Sequence, residues 1–480
     1  MTEIKNLEPE RVFKYFEEIS QVPRGSGNMD AIAEYCVDFA KKHSLKYIRD
    51  AANNVIIYKN ATSGFENAPS VILQCHLDMV CQKESGYDID FESQGLKIYA
   101  DGDFLKAAGT TLGGDNGIAV AMVLAILESD VIPHPAIEAV FTTDEEIGML
   151  GAVALDMKNL SSKVMINIDS EDQDIVTVSC AGGLRFSAEI PFNRQTKCGT
   201  AIKILLKGLK GGHSGVEIDK GRVNADILAG RILNHLKHLT DFEIIRINGG
   251  DKDNAITPTC EILLLSENGD SLAEYTESYL KTVKAEISAR EPDFCFEITT
   301  VPGTEHSVIE KETAEKLIYF LTLTPNGVID MSAEINGLVE TSLNLGILQT
   351  NENNAEMHYA LRSNKKTSLE FLSEKMKSFF EIFGIKTNVS GAYPPWEFNP
   401  NSKLQTVYTS AFKEQFGYEP KIEAIHAGLE CGVFSDAIDG IDCISIGPQM
   451  YDIHTVNERL SISSVEKIYN LLLNVLSKLK

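Results

Sequence analysis

Three short apolar runs in the N-terminal part of the chain are each followed by acidic residues or by a histidine. The runs are 71–73, 139–141 and 164–168, and the polar residues that follow them include His76, Asp78, Asp144, Glu145, Glu146 and Asp169. Apolar runs of this length predict strands that are buried on both faces. Because ligand and catalytic groups gather at the carboxyl ends of such strands in open α/β sheets, we expect these side chains to converge.

The same order of strand and then ligand returns near the C-terminus. Residues 442–447 predict a buried strand, and His454 follows it. Predicted helices at 28–43 and 118–128 alternate with the N-terminal strands, which is typical of an α/β fold with a mixed sheet. Residues 187–390 instead read as an α+β segment.

We therefore predict two domains in 480 residues, a length too great for one ordinary core. The first is an α/β, mixed-sheet catalytic domain made of 1–186 and 391–480, and the second is an inserted α+β domain at 187–390. The alternative is a third independent domain after Ser390. That arrangement would leave His454 without a metal site.

The bulk properties narrow the class of protein. A formal net charge of −25 argues against a nucleic acid partner, since phosphate binding needs a basic surface. The segment Met1–Lys5 lacks the pattern of a secretory signal, and the longest apolar run, 117–127, is about half the length of a membrane span. The nine cysteines show no disulfide or zinc spacing, so we expect reduced thiols in a cytoplasm, with Cys75 in the core.

His76 and Asp78 are separated by one residue on a segment that we expect to be extended. Residues two apart face the same side, so Asp78 can accept the imidazole N–H and fix the orientation of the ring. An isolated pair of this kind would more often be a surface feature. Close to the other candidate ligands, it predicts an oriented metal-binding histidine.

The pair Glu145-Glu146 suits both metal binding and proton transfer. Adjacent side chains diverge, so one carboxylate can bind a cation while the other faces an attacking water as general base. The competing interpretation is a solvated acidic loop. The flanking Thr142-Thr143 and Ile147-Gly148 favour a loop held against the sheet.

Asp115 lies in Gly113-Gly-Asp-Asn-Gly117, where a predicted helix begins. It can cap that helix, or its two oxygens can bridge two divalent ions about 3.5–4 Å apart. In the second case Asp169 and His454 would each complete one ion. Two histidines and three carboxylates suit a pair of zinc-like ions, and manganese or cobalt can share such ligands.

These residues occur in motifs that resemble a known family over essentially the whole chain. The motifs are His76-Leu-Asp-Met-Val80, Gly113-Gly-Asp-Asn-Gly117, Thr143-Asp-Glu-Glu-Ile-Gly148, Asn167-Ile-Asp169, Gly211-Gly-His-Ser-Gly215, His426-Ala-Gly-Leu-Glu-Cys-Gly432 and the late His454. They resemble the co-catalytic zinc peptidases, a group that includes dipeptidases, aminoacylases and glutamate carboxypeptidases. The closer resemblance is to the dipeptidase branch that cleaves Xaa-His substrates.

The resemblance implies a role for each matching residue. His76, Asp115 and Asp169 would hold one zinc ion, and Asp115, Glu146 and His454 the other. Asp78 would orient His76, and Glu145 would be the general base. The inserted domain would be a lid, on which His213 stabilises the oxyanion and Arg362 grips the substrate carboxylate. Residues implied nearer the substrate are Glu430, at its amino end, and Asn254.

The resemblance also implies hydrolysis of unblocked dipeptides, with Xaa-His dipeptides such as carnosine as the expected substrates, and a homodimer. The cytoplasmic location and the lack of a membrane partner are expected from the cysteines and the short apolar runs. For Arg362 a surface salt bridge remains the alternative. Three other functions stay open for the chain: an aminoacylase or N-acyl amino acid deacylase, a non-catalytic metal- or peptide-binding protein, and an α/β protein whose acidic loops are merely exposed.

Overall fold

The computed structural model describes Ile4 and residues 7–480, and these divide into two compact units. The first unit comprises residues up to Cys180, Trp396–Ala424 and Leu429–Lys480, and the second comprises Ala181–Pro395 and Ile425–Gly428. The segment Met1–Lys5, for which we predict no secretory signal, lies outside the described residues except for Ile4. No helix among the described residues is both long and apolar enough to cross a membrane.

Among the described residues, the N-terminal part of the first unit contains four α-helices and eight strands. The helices are α1 (Glu10–Ser20), α2 (Asp30–Lys42), α3 (Gly114–Glu128) and α4 (Leu150–Ala154). The strands are β1 (Lys46–Arg49), β2 (Val55–Lys59), β3 (Val71–His76), β4 (Ile98–Asp101), β5 (Phe104–Ala107), β6 (Ile137–Thr142), β7 (Val164–Asn167) and β8 (Ile175–Cys180).

The second unit follows with four helices and eleven strands. The helices are α5 (Ala225–Leu236), α6 (Gly269–Ile287), α7 (Lys311–Leu323) and α8 (Lys366–Ile382). The strands are β9 (Gly182–Pro191), β10 (Arg194–Lys207), β11 (Gly212–His213), β12 (Glu243–Gly249), β13 (Ala255–Ile256), β14 (Cys260–Ser266), β15 (Cys295–Ile309), β16 (Gly327–Met331), β17 (Val339–Thr350), β18 (Asn354–Ser363) and β19 (Lys386–Tyr393).

The chain then completes the first unit. The remaining helices are α9 (Lys403–Phe416), α10 (Glu430–Ala437) and α11 (Ile462–Lys478). The remaining strands are β20 (Lys421–Ile425), β21 (Asp442–Ser445), β22 (Met450–Tyr451) and β23 (Arg459–Ser461).

The first unit is built on an eight-stranded mixed sheet in the order β1-β2-β6-β3-β7-β21-β8-β20. Its four central strands, β6, β3, β7 and β21, run parallel to one another. Every residue of β3 and β6 is buried, as expected for strands covered on both faces. The predicted α/β class with a mixed sheet is confirmed.

Helix α3 is apolar around its whole circumference and is buried from Asn116 to Leu127. A helix with this composition must lie in the interior, and α3 packs against both α1 and β3. Its first turn is irregular, because Asp115 and Asn116 have non-helical backbone angles. Asp115 therefore lies in a non-helical turn at the N-terminal end of a buried helix.

The second unit contains a nine-stranded antiparallel sheet in the order β15-β10-β14-β12-β17-β18-β9-β19, with β16 paired to β17. Apolar side chains of all four of its helices and of the sheet form one buried cluster, in which Phe186, Tyr359 and Phe320 surround Phe380. Four antiparallel strands in the order β22-β23-β5-β4 form a smaller sheet in the first unit.

The boundaries of the second unit are wider than the insertion predicted at 187–390. It begins at Ala181 and includes the short segment 425–428, because the N–H of Ala181 donates to the carbonyl oxygens of Ile425 and Ala427, each at 3.0 Å. The segment beyond Ser390 does not form a third unit in this division. Strand β21 pairs with β7, which joins the C-terminal part of the chain to the first sheet.

Candidate metal centre

The candidate ligands follow the carboxyl ends of the parallel strands of the first unit. His76 is the last residue of β3, Asp169 comes two residues after β7, and Glu146 lies in the loop after β6. His454 lies in the loop after β22, which follows β21. Since parallel strands end at the same edge of a sheet, these loops converge there.

The side chains meet in two groups that share Asp115. The Nε2 atom of His76 lies 3.2 Å from Oδ1 of Asp115 and 3.3 Å from Oδ1 of Asp169. The Nε2 atom of His454 lies 2.9 Å from Oε1 of Glu146 and 3.3 Å from Oδ2 of Asp115. Asp115 thus directs one oxygen toward each imidazole.

This set of donors fits a pair of divalent cations. Each group offers one imidazole nitrogen, one carboxylate of its own and one oxygen of Asp115, and the ligand atoms of His76, Asp115 and Glu146 all lie within 4.8 Å of one another. Nitrogen and oxygen donors of this kind suit zinc and its neighbours in the first transition row. The three carboxylates of Asp115, Asp169 and Glu146 would offset three of the four positive charges of such a pair of cations.

The electrostatics of these groups reflect their crowding. Hydrogen bonds that the His454 ring donates to the carboxylates of Asp115 and Glu146 raise the pKa of His454 to about 11. Burial alone would lower the pKa of His76, but the carboxylates around it, Asp169 first among them, hold it well above its usual range. Protons and cations therefore compete for the same atoms, because metal ligation requires neutral imidazoles.

Asp78 connects two of the ligand loops. Its carboxylate is fully buried, with Oδ1 3.3 Å from Nδ1 of His76, so the other ring nitrogen of His76 faces the cluster. The same carboxylate accepts hydrogen bonds from the hydroxyl of Ser26 at 2.8 Å and from the backbone N–H groups of Glu145 and Glu146 at 3.0 and 3.2 Å. Despite burial, hydrogen bonding to His76 and these donors holds the pKa of Asp78 at about 2.

Glu145 differs from its neighbour Glu146 in what surrounds its carboxyl group. Glu146 contacts His454, whereas burial and then the charges of Asp169 and Glu430 hold the pKa of Glu145 well above its usual range. A carboxylate that gains from accepting a proton has the property required of a general base.

Glu430 lies beneath the metal centre at the start of α10 and is fully buried. Its Oε2 accepts hydrogen bonds from Thr142 Oγ1 at 2.6 Å and from Nε2 of Gln74, while Gln74 Oε1 accepts from Asn167 at 2.5 Å. Burial raises the pKa of Glu430 to about 7. Its contact with the ammonium of a substrate stays a prediction.

His213 and Asn254 lie next to each other in the second unit. Strands β11 and β13 pair His213 with Ala255, and the N–H of Ser214 donates to the carbonyl of Asn254 at 2.9 Å. Nδ1 of His213 accepts the N–H groups of Gly215 and Val216 at 3.3 and 3.2 Å. Because Nδ1 accepts these hydrogen bonds, the proton of the neutral ring lies on Nε2. Burial lowers the pKa of His213, which favours this neutral form.

Arg362 lies on β18 of the same unit. Its Nη1 donates to the hydroxyl of Tyr393 at 2.7 Å, and its buried Nε has no hydrogen-bond partner among the described residues. Arg362 is only 8 % exposed, which is low for an arginine engaged in a surface salt bridge. Its proposed grip on a substrate carboxylate stays a prediction.

Three residues near these groups carry no role in the sequence predictions. His426, in the second unit, binds Ser342 at 2.7 Å and Asn364 at 3.1 Å, and burial lowers its pKa to about 3. Arg24 and Glu458, in the first unit, contact the loops of His76 and Asp115. The motif around His426 is visible in the sequence, but the other two look like ordinary charged loop residues.

Comparison with known proteins identifies the family of this chain. Residues 72–478 match the sequence model of a family described as Peptidase family M20/M25/M40. The chain belongs to this family. It is 36% identical over 484 residues to the cytosol non-specific dipeptidase of Escherichia coli strain K12, covering 100% of this chain and 99% of that protein.

Solved structures give the same result for the fold. The aminoacylhistidine dipeptidase of Vibrio alginolyticus is similar with a TM-score of 0.90 and 36% identity, covering 99% of this chain and 98% of that one. An M20 family metallo-carboxypeptidase from Sulfolobus solfataricus shares the fold, with a TM-score of 0.54, 14% identity and coverage of 98% and 99%. The predictions of a peptide-bond hydrolase and of dependence on divalent metal ions are confirmed at the level of the M20/M25/M40 family.

Proposed function

We propose that this chain hydrolyses unblocked dipeptides at a pair of divalent cations, with zinc as the expected metal and cobalt or manganese as substitutes. His76 and Asp169 would hold one ion, Glu146 and His454 the other, and Asp115 both. The observation that carries this proposal is the position of Asp115, whose two oxygens lie 3.2 and 3.3 Å from two different imidazoles. A helix cap would not require a second histidine on its far oxygen.

When bound, the cations would polarise the scissile carbonyl and lower the pKa of the attacking water. Glu145 takes the proton of that water and passes it to the leaving amine. Asp78 holds the backbone of Glu145 and the ring of His76 at once, which keeps the base in register with the ligands. The roles implied for His213 at the oxyanion, and for Arg362 and Asn254 at the substrate, stay predictions.

The substrate class follows from the two relatives that match nearly the whole chain. One is named a non-specific dipeptidase and the other an aminoacylhistidine dipeptidase. We therefore infer that Xaa-His dipeptides, including β-alanyl-histidine, are substrates of this chain, alongside other dipeptides with a free amino group. A cytoplasmic location and a homodimer complete the proposal.

A panel of dipeptides tests the proposed function. The zinc-loaded protein is assayed with Ala-His, β-Ala-His, Ala-Ala and N-acetyl-Ala-His, and a chelated sample serves as the control. We expect hydrolysis of the three unblocked peptides, little reaction with the acetylated one, and no activity after chelation.

The same panel separates the rival functions. A preference for N-acetyl-Ala-His would identify an aminoacylase instead. Retention of metal without hydrolysis of any member would favour a binding protein. Light scattering on the eluting peak of a sizing column measures the subunit number.

A further inference from the structure

A single buried carboxylate receives the backbone of the turn that carries Asp115. Oε2 of Glu458 accepts the N–H groups of Leu112 at 2.7 Å and Gly113 at 3.0 Å, and Oε1 accepts those of Gly114 at 2.8 Å and Asp115 at 3.4 Å. Amide groups that precede a helix have no partner within it, and several of them together form an anion-binding nest. In this protein the anion is Glu458, which is 3 % exposed.

A buried cation holds the other side of the same turn. Nη2 of Arg24 donates to the carbonyl of Gly113 at 2.5 Å, and Nη1 donates to the carbonyls of Leu77 at 3.0 Å and Asp78 at 3.2 Å. Arg24 is 2 % exposed. The planar guanidinium therefore joins the residues that directly follow His76 to Gly113, which directly precedes the first turn of α3 with Asp115.

The glycines of the motif 113–117 leave the space that these two charges occupy. A Cβ atom at Gly113 or at Gly117 would overlap Nη2 of Arg24. A Cβ atom at Gly114 would lie 3.3 Å from Oε1 of Glu458, closer than ordinary contact. Gly113 also has a φ of 64°, which favours glycine. The glycine-rich motif is thus shaped around Arg24 and Glu458.

The two charges compensate each other through the peptide group of Gly113. Its N–H donates to Glu458 and its carbonyl accepts from Arg24. A buried charge is costly without compensation, and the charges of Glu458, Asp78 and Asp115 all offset the burial of Arg24. Among nearby charges, that of Glu458 contributes most to offsetting the effect of burial on the pKa of Arg24. Arg24 and Glu458 thus hold the same peptide group from its two sides.

We propose that Arg24 and Glu458 are positioning residues that set the separation of His76 and Asp115 and thereby the geometry of the metal centre. The distance that they control is the 3.2 Å between His76 Nε2 and Asp115 Oδ1. A shift of the turn would move Asp115, the ligand that both groups share. This inference rests on the proposed function for the presence of metal, and on the hydrogen bonds above for everything else.

Cobalt binding to the metal-free protein tests the inference without any assay of activity. Protein stripped with a chelator is titrated with Co²⁺, and the visible absorption spectrum and equilibrium dialysis give the geometry, the affinity and the number of ions. For Glu458→Gln and for Arg24→Lys we expect affinity roughly 10- to 100-fold weaker than in the wild type, with an altered spectrum. Lysine keeps the charge of Arg24 but cannot reach three carbonyls at once.

Glu138 provides the matched control. It is also a buried glutamate of the first unit, and it accepts the backbone N–H groups of Ser161 and Ser162, but it lies near the start of β6, at the opposite edge of the sheet from the metal centre. We expect Glu138→Gln to lower the melting temperature while binding Co²⁺ with wild-type affinity and spectrum. That contrast separates positioning of the metal centre from stability alone.

If Glu458→Gln does not fold, Gly114→Ala provides a milder change, because the added methyl group would displace the same carboxylate slightly. We expect it to weaken Co²⁺ binding by a smaller factor. A folded Glu458→Gln or Gly114→Ala protein with wild-type affinity and spectrum would overturn the inference. A wild-type protein that binds no Co²⁺ would refute the proposed function, and this inference with it.

Discussion

The carboxylate of Asp78 accepts a hydrogen bond from the backbone N–H of Glu145 at 3.0 Å. Its other oxygen accepts from Glu146 at 3.2 Å, and the same group lies 3.3 Å from His76 Nδ1. One side chain therefore holds a candidate ligand and the candidate base together. The loop after β6 cannot move relative to Asp78 without breaking the hydrogen bonds from Glu145 and Glu146.

Substitution of Asp78 tests this connection. In Asp78→Asn an amide group would face backbone donors that need an acceptor, so we expect metal affinity to fall by roughly 10- to 100-fold, together with a fall in kcat. Ser26→Ala, which removes one donor to Asp78, is the control and should change both values only a few-fold. Metal dialysis and steady-state kinetics measure the two effects, and equal behaviour of the variants would contradict the connection.

Glu145 and Glu146 should respond differently to the same substitution. Glu145→Gln removes the proposed base, so we expect kcat to fall by about 100- to 10,000-fold while two ions remain bound. Glu146→Gln weakens a ligand of His454's group, so we expect loss of metal as well as of activity. Elemental analysis beside kinetics on Ala-Ala distinguishes them. Undiminished kcat in Glu145→Gln would exclude its role as base.

Arg362 should matter for the carboxylate of the substrate. We expect Arg362→Ala to reduce kcat/KM for Ala-His far more than for the C-terminal amide of the same peptide, because the amide lacks the charge that a guanidinium binds. Tyr393→Phe is the matched control, since it removes the hydroxyl that accepts from Arg362 and keeps the charge. If both substrates lose equally in Arg362→Ala, the arginine has a structural role instead.

The buried carboxyl of Asp226 predicts a pH dependence of stability in the second unit. Burial raises its pKa to about 7, which the side chains of Cys260 and Thr257 offset only in part. An unfolded Asp titrates near pH 4, so between about pH 4 and 7 the folded state holds the extra proton. The contribution of Asp226 to the free energy of unfolding therefore falls as pH rises through this window, by about 1.4 kcal/mol per pH unit at most, and levels off above it.

Urea denaturation at several pH values measures this effect. Asp226→Asn cannot ionise, so the decline between pH 4 and 7 should become shallower than in the wild type. Asp251→Asn, at an exposed position of the same unit, should leave the slope unchanged. An identical pH slope in Asp226→Asn and the wild type would show that this carboxyl does not titrate in the folded protein.

Much of the first unit was predictable because its central strands are short apolar runs. The strands predicted near 71–74 and 442–447 correspond to β3 and β21, and the helix predicted at 118–128 lies within α3. Long strands of the second unit were missed, most clearly β15, whose residues are largely exposed and show little apolar alternation. Such a strand is held by pairing with β10, which a local pattern does not show.

The chemistry at the site was also partly readable. Clusters that follow buried strands pointed to His76 and Glu146, and the start of a predicted helix pointed to Asp115; these three residues lie together. Arg24 and Glu458 could not be found in this way, because charged residues in loops are usually exposed. Their burial depends on backbone groups that are distant in the sequence. Arg24 binds Gly113, 89 residues away, and Glu458 binds Gly114, 344 residues away.

The sequence by itself determined which chemical groups follow which strands, because strand formation and the order of residues along a strand are local. The tertiary structure alone decided that His454 meets Glu146, 308 residues away, and that both imidazoles share Asp115. These contacts depend on the pairing of β21 with β7. They also depend on Arg24 and Glu458, which hold the turn at Gly113. Contacts between distant segments arise from the packing of the whole unit, and no window of sequence contains them.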